Sequence, residues 1–197
     1  VPTTGELVGN RLRISTGAAG QLEATAVTAD FFPVLGLSVV GRDFTPTDDS
    51  PGAPLTGIVS HRFWRQYLHS SSEVIGSWLD SSPERIQVIG VAPESFEGAR
   101  LGEQTDLWVP RAAVSRLAAP GMGQQDPNLL ALARLQPSVG TALAERRINE
   151  SRSWPSPIRL IPISSLYGSS TGASIDIGQE SVIWIAIVTA ALVLTAA

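Results

Sequence analysis

The last sixteen residues of the sequence, 182–197, carry no charge and read VIWIAIVTAALVLTAA. Two threonines are their only polar members. As a helix this segment would be about 24 Å long at ~1.5 Å per residue, whereas the hydrocarbon core of a bilayer is about 30 Å thick. We therefore predict the start of a transmembrane helix that runs from Val182 to Ala197 and continues beyond it, with Trp184 at the membrane interface.

A buried core helix or strand is the alternative for this segment, because short apolar runs are often core and β-branched residues dominate its first half. The flanking charges favour the membrane and give it a direction. No basic residue follows Arg159, and residues 160–181 contain only Asp176 and Glu180 as charges. By the positive-inside rule such a flank is not cytoplasmic, so we expect the upstream domain to lie outside the cytoplasm.

The composition narrows the classes of function. All 14 basic residues are arginine and the net charge is -4, so no basic stripe is present to neutralise nucleic-acid phosphates. A phosphate-binding loop for nucleotide hydrolysis requires a lysine, which this chain lacks. The chain also lacks cysteine, which excludes disulfides and thiolate metal sites.

The upstream pattern predicts a mixed α/β (α+β) fold, with a mixed sheet and short helices. Two strands around a Gly-rich turn open the chain, and Ser60 is predicted to cap a helix over 61–69. Residues 85–91, 106–109, 129–135 and 158–163 read as further strands. We expect a domain over 1–163, a Ser/Gly-rich tether over 164–181 and the membrane segment over 182–197.

No constellation of catalytic or metal-binding residues emerges, so we predict no enzyme, no metal and no cofactor. Asp43, Asp48 and Asp49 are the densest acidic cluster, but their spacing matches no calcium loop and suits turns and helix caps. His61 and His69 fall two turns apart on one predicted helix without a companion ligand. Ser60 stands beside His61, where capping explains the serine, and the chain has no nucleophile elbow.

Seven short phrases, taken in order, resemble the MacB-like periplasmic core domain of FtsX-like permeases of ABC transporters. They are ADFFPVLGL (29–37), GRDF (41–44), VSHRFWR (59–65), VIG (74–76), VIGVAP (88–93), DLWVP (106–110) and ALARL (131–135). The resemblance covers roughly residues 25–150, and the order of the phrases makes it more specific than any one of them.

The resemblance implies a permease with one membrane helix before the domain and three after it. It also implies that a cytoplasmic ATPase domain or subunit drives motion of the extracytoplasmic domain. The implied partners are other permease segments and that ATPase, with a periplasmic adaptor, a lipoprotein or a second copy left open. The implied location is the bacterial inner membrane, with the domain facing the periplasm or the cell exterior.

The sequence thus predicts a non-catalytic permease component that binds a partner or substrate and follows transporter motion, of the efflux or lipoprotein-release type. A membrane-anchored enzyme of the cell envelope is one alternative. A stand-alone extracytoplasmic binding module, in which the final segment is merely core, is another. The residues that would contact a partner are not identified by any motif.

Overall fold

The computed structural model describes residues 4–17, 20–82, 84–99, 104–117, 128–135, 139–151, 159–162 and 183–189. The strands in these ranges are β1 Thr4–Thr16, β2 Gly20–Val27, β3 Val40–Gly41, β4 Thr56–Val59, β5 Trp78–Leu79, β6 Ile86–Val91, β7 Leu107–Pro110, β8 Asn128–Arg134, β9 Leu160–Pro162 and β10 Ile183–Thr189. The α-helices are α1 Phe31–Leu35, α2 His61–Tyr67, α3 Val114–Leu117 and α4 Thr141–Ser151, with 3₁₀ turns at Ser72–Val74 and Arg111–Ala113.

All the described strands join one mixed sheet, as the sequence predicted. Its order is β3-β6-β4-β7-β2-β1-β8-β10-β9, and β5 also pairs with β6. The predicted hairpin is present: β1 and β2 are antiparallel, with Leu12 opposite Ala24. The β2–β7 and β4–β6 pairs are parallel, and this mixture of directions requires the helical connections that the short helices supply.

One face of the sheet carries an aromatic core. Phe32 is fully buried, with its ring centroid 5.5 Å from that of Trp108 and 6.0 Å from that of Phe96. Phe31 and Phe44 complete the group. Since α1 supplies two of these five rings, packing of this helix on the sheet depends on them.

The opposite face carries a second core, which is mainly aliphatic and lies beneath α2, α3 and the 3₁₀ turn Ser72–Val74. We call it the aliphatic core, although Phe63 of α2 is one of its members. Neighbouring residues of one strand divide between the faces: Ile58 joins the aromatic core and Val59 the aliphatic one. The members of the aliphatic core include Leu12, Ile14, Leu22, Leu55, Phe63, Ile86, Val88, Leu107, Val109 and Leu117. The central strands are apolar on both sides because each side is covered.

The first two helices differ in how their ends are capped. Ser60 accepts a hydrogen bond from the backbone N–H of Phe63 at 3.0 Å, which is the predicted cap of α2. Asp30 occupies the N-cap position of α1 without a side-chain capping bond. Gly36 ends α1 in the left-handed conformation at φ 71°, a conformation that glycine adopts without steric cost.

The C-terminal apolar segment differs from its prediction. Ile183–Thr189 forms strand β10, paired with β8 and β9, so the helical conformation predicted for the segment is wrong over these seven residues. Isoleucine and valine favour extended backbone, and the edge of β8 provides backbone partners that a helix would not use. Within the described residues, no helix is long and apolar enough to cross a membrane.

Several predictions fall on residues outside those described. Val182 and residues 190–197 are among them, as is the predicted tether over 164–181. The domain limits at 1–163 and the membrane insertion of 182–197 therefore stay predictions.

Candidate interaction surface

One edge of the sheet is built from two very short strands lying end to end. Along β6, Val40 of β3 is opposite Val91, whereas Trp78 of β5 is opposite Gln87. Neither strand was predicted from the sequence. Two-residue strands leave little edge for further pairing, which is a common way of protecting a sheet.

Three large apolar side chains are exposed along this edge. Val40 is 64% exposed, Trp78 50% and Ile75 42%, and these are the exposed large hydrophobics among the residues whose burial the structure describes. We call them the edge strip. The guanidinium of Arg85 lies 5.4 Å from the centre of the Trp78 ring, which is within the range of a cation–π contact. Clustered exposure of this kind makes the edge strip a candidate contact surface.

The acidic cluster singled out from the sequence is a structural loop. Asp48 accepts two hydrogen bonds of 2.8 Å from Arg42, and two more from the backbone N–H and hydroxyl of Thr45. Asp49 accepts from the backbone N–H of Ala112 at 2.9 Å, and Asp43 from that of Phe44 at 2.9 Å. The turn-forming role predicted for these carboxylates is confirmed for Asp48, whose bonds to Thr45 close the turn.

Metal ligation has no support in the described part of the chain. No group of three or more His, Asp or Glu side chains there is arranged to hold a metal ion.

The carboxyls of Asp48 and Asp43 are perturbed in opposite directions. Hydrogen bonding from Arg42 holds the pKa of Asp48 well below its usual range, with the bonds from Thr45 acting in the same direction. Burial raises the pKa of Asp43. The nearby charge of Asp30 also raises it, whereas the hydrogen bond from the Phe44 N–H lowers it. Asp48 is thus stabilised as an anion by folding, whereas folding makes ionisation of Asp43 less favourable.

We expect Asp48→Asn to lower the free energy of unfolding at pH 7 by about 1–2 kcal/mol, since it weakens a charge-assisted, partly exposed pair. A carboxyl whose pKa is lowered by folding stabilises the folded protein at pH values above its unfolded pKa of about 3.9. That contribution is lost as the pH falls through the pKa of the folded state. The difference between wild type and variant should therefore shrink below about pH 4. Urea unfolding at several pH values measures it.

Asp43→Asn is the matched control for Asp48→Asn. Because folding raises the pKa of Asp43, its ionised carboxyl lowers the stability of the folded protein at neutral pH, the opposite of Asp48. Asparagine keeps an acceptor for the Phe44 N–H, and we expect no loss of stability at pH 7. Equal losses in both variants, independent of pH, would contradict this account of the loop.

The two histidines do not share a helix, which corrects the prediction. His61 begins α2 and is half-buried, with its Nδ1 3.9 Å from Glu94 Oε1, an oxygen that lies 3.6 Å from Arg65. His69 follows the end of α2 and is exposed, at φ 53°. Their interpretation as surface or partly buried residues is confirmed.

His69→Gly should stabilise the protein. A left-handed conformation costs a residue with a side chain about 1 kcal/mol or more, and it is the conformation in which glycine is favoured after a helix. We expect the free energy of unfolding to rise by up to about 1 kcal/mol, because glycine's larger unfolded-state entropy offsets part of the gain. Thermal unfolding tests this, with His69→Ala as a control that retains the strain.

Asp106 is a connecting residue that sequence reasoning missed. Its carboxylate pairs with Arg62 of α2 and accepts a hydrogen bond from the backbone N–H of Glu23 at 3.0 Å. Its backbone N–H donates to the carbonyl of Glu23, and its carbonyl accepts from Ser60 N–H, both at 2.8 Å. Asp106 thus connects β2, β7 and the start of α2 through hydrogen bonds. No local sequence signal predicts these contacts.

The residues predicted for the membrane segment lie apart from the edge strip and the acidic loop in the chain. Trp184 lies within β10, whereas Val182 and Ala197 lie outside the described residues.

Comparison with solved structures finds the same fold in two extracytoplasmic regions of transporters. The periplasmic region of MacB from Actinobacillus actinomycetemcomitans superposes with a TM-score of 0.54 at 12% identity, over 76% of this chain. The chain spans 64% of that region's length. The extracellular domain of the noncanonic ABC-type transporter YknZ from Gram-positive bacteria gives 0.50 at 17% identity, over 76% of this chain and 75% of that one.

Comparison with curated protein sequences gives no match. The model of one protein family, however, matches residues 2–151, which include the hairpin, the aromatic core, the acidic loop and α4. The described strands and helices of that range form the mixed sheet with short helices that the sequence pattern predicted. The chain belongs to the family of MacB-like periplasmic core domains.

Proposed function

We propose that this chain is the extracytoplasmic part of an ABC transporter permease, which binds a partner or substrate and transmits conformational change driven by ATP hydrolysis elsewhere in the complex. The family match over residues 2–151 is the observation that carries this proposal. The transporter is of the efflux or lipoprotein-release type, and the ATPase is a separate cytoplasmic domain or subunit.

The continuity of the sheet supports a role in transmitting motion. β1 pairs with β8 on one side and with β2 on the other, and β2 continues the sheet through β7. Hydrogen-bonded strands with a core on both faces move together, because close-packed interiors transmit strain. Displacement of β1 would therefore carry the remote β6 edge with it.

The charge distribution supports a location outside the cytoplasm at the inner membrane. The segment after Arg159 lacks basic residues and ends in the uncharged run 182–197, which is unlike a cytoplasmic flank. In this proposal the domain faces the periplasm or the cell exterior, and its partners are other permease segments and the ATPase.

Thiol labelling of cells tests the location. Because the chain contains no cysteine, Gln66→Cys at an exposed site of α2 introduces a single thiol. We expect a membrane-impermeant maleimide to label it in spheroplasts. Ala26→Cys, at a fully buried site, is the matched control and should react only after denaturation. Labelling of Gln66→Cys only after cell lysis would place the domain in the cytoplasm and reject the proposal.

Affinity purification tests the coupling partner and separates the proposal from the enzyme alternative. A tagged chain extracted in mild detergent should retain an ATPase whose activity vanadate inhibits. Recovery of the protein with hydrolytic activity of its own, and without an ATPase, would favour a membrane-anchored cell-envelope enzyme instead.

A further inference from the structure

Strand β10 is inserted between two strands that the chain order would make neighbours. β8 and β9 are each antiparallel to β10, so they are parallel to one another. α4 connects them, which makes β8, α4 and β9 a strand–helix–strand crossover. The two strands of such a unit can pair directly, but here they enclose a slot one strand wide.

Strand β10 pairs more extensively with β8 than with β9, the two strands that border the slot. All of Ile183–Thr189 pairs with β8, whereas only Trp184, Ile185 and Ala186 pair with β9. Pro162 of β9, opposite Trp184, has no N–H to donate. β9 has an anchor of its own, since the backbone N–H of Leu160 donates to Glu145 Oε1 of α4 at 2.7 Å. Loss of β10 would thus leave β9 attached to α4.

The sequence of β10 suits a second environment equally well. All seven residues 182–188 are apolar. The uncharged run of which the strand is part extends over 182–197. A segment that is apolar in every direction gains from leaving water either by entering a sheet or by entering a bilayer.

We propose that the slot between β8 and β9 is a docking site for one extended apolar strand, and that Ile183–Thr189 occupies it reversibly. The segment leaves the slot when it enters a lipid bilayer, and the edge of β8 is then open. This inference rests on the proposed function, because release requires association of the chain with a membrane.

Cysteine cross-linking of the full chain tests the slot directly. Ala131 of β8 lies opposite Ala186 of β10 and, on its other side, opposite Glu6 of β1. Directly opposed strand residues are close enough for a disulfide. The test variant is therefore Ala131→Cys with Ala186→Cys, and the matched control is Ala131→Cys with Glu6→Cys, which shares the same β8 thiol.

Both double variants should cross-link in aqueous buffer under mild oxidation. Addition of phosphatidylethanolamine–phosphatidylglycerol vesicles should reduce cross-linking of the β8–β10 pair about tenfold, equal to a shift of about 1.4 kcal/mol, and leave the β1–β8 pair unchanged. Sedimentation of the same samples reports membrane binding independently of the cross-link.

Three other outcomes would overturn the inference. If the chain sediments with vesicles while the β8–β10 cross-link persists, the strand is permanent and membrane association still stands. If the chain does not sediment and the cross-link persists, both the release and the proposed membrane association fail. If the β8–β10 pair does not cross-link in buffer while the control does, the slot does not hold this segment.

Discussion

Replacement of Phe32 by alanine is expected to lower the free energy of unfolding by about 3–5 kcal/mol. Phe32 is fully buried on α1, and its ring contacts those of Phe31, Phe44, Phe96 and Trp108. Truncation removes the apolar surface that holds α1 to the sheet and leaves a cavity among aromatic rings that cannot close around it. Domains are stable by only about 5–15 kcal/mol, so this variant should be close to unfolding at 37 °C.

Trp108→Phe is the matched control within the same aromatic core. The indole N–H of Trp108 is buried without a hydrogen-bond acceptor in the described part of the chain, and phenylalanine removes this unpaired donor while keeping a ring. We expect a loss below about 2 kcal/mol, because relief of the unpaired N–H offsets part of the lost volume. Urea denaturation compares the variants, and a loss for Phe32→Ala no larger than for Trp108→Phe would contradict the role given to this core.

Asp106→Ala should have the second largest effect, a loss of about 2–4 kcal/mol. The substitution removes the carboxylate that pairs with Arg62 and accepts from the Glu23 N–H. Hydrogen bonds to charged groups contribute about 1.5–3 kcal/mol, and a partly buried guanidinium left unpaired adds to the cost. Because this carboxylate spans the parallel β2–β7 pair, hydrogen exchange should also rise in both strands.

Two control variants distinguish loss of the Asp106 hydrogen bonds from loss of a negative charge alone. Asp106→Asn keeps an acceptor for the Glu23 N–H and should lose about half as much stability, on the order of 1–2 kcal/mol. Glu94→Ala removes an exposed carboxylate beside the same helix and should change stability by less than about 0.5 kcal/mol. If Glu94→Ala and Asp106→Ala prove equally destabilising, Asp106 is not the connection described above.

Elements with local signals were predictable from the sequence. Ser60, predicted as a helix cap, placed the start of α2. The alternating pattern over 85–91 placed β6, which spans Ile86–Val91. In each case the residues that determine the element lie within a few positions of it, so a single sequence contains the information.

Elements that depend on distant partners were not predictable. β3 and β5 have two residues each and exist only through pairing with β6. β10 is a strand because β8 offers it an edge, whereas its apolar composition predicted the start of a membrane helix, with a core strand as the alternative. The connections made by Asp106 depend on residues 44 and 83 positions away, and no sequence periodicity encodes such a contact. The prediction that His69 belongs to α2 was wrong because that helix already ends at Tyr67.

The most direct test of the proposed function is whether this domain moves when ATP is hydrolysed. The permease and its ATPase would be reconstituted in lipid nanodiscs, with a spin label on Gln66→Cys and a second label on lipid headgroups. We predict that the distance distribution between the labels differs between the nucleotide-free complex and the vanadate-trapped complex. An identical distribution in both states, with ATP hydrolysis at the unlabelled rate, would contradict the account.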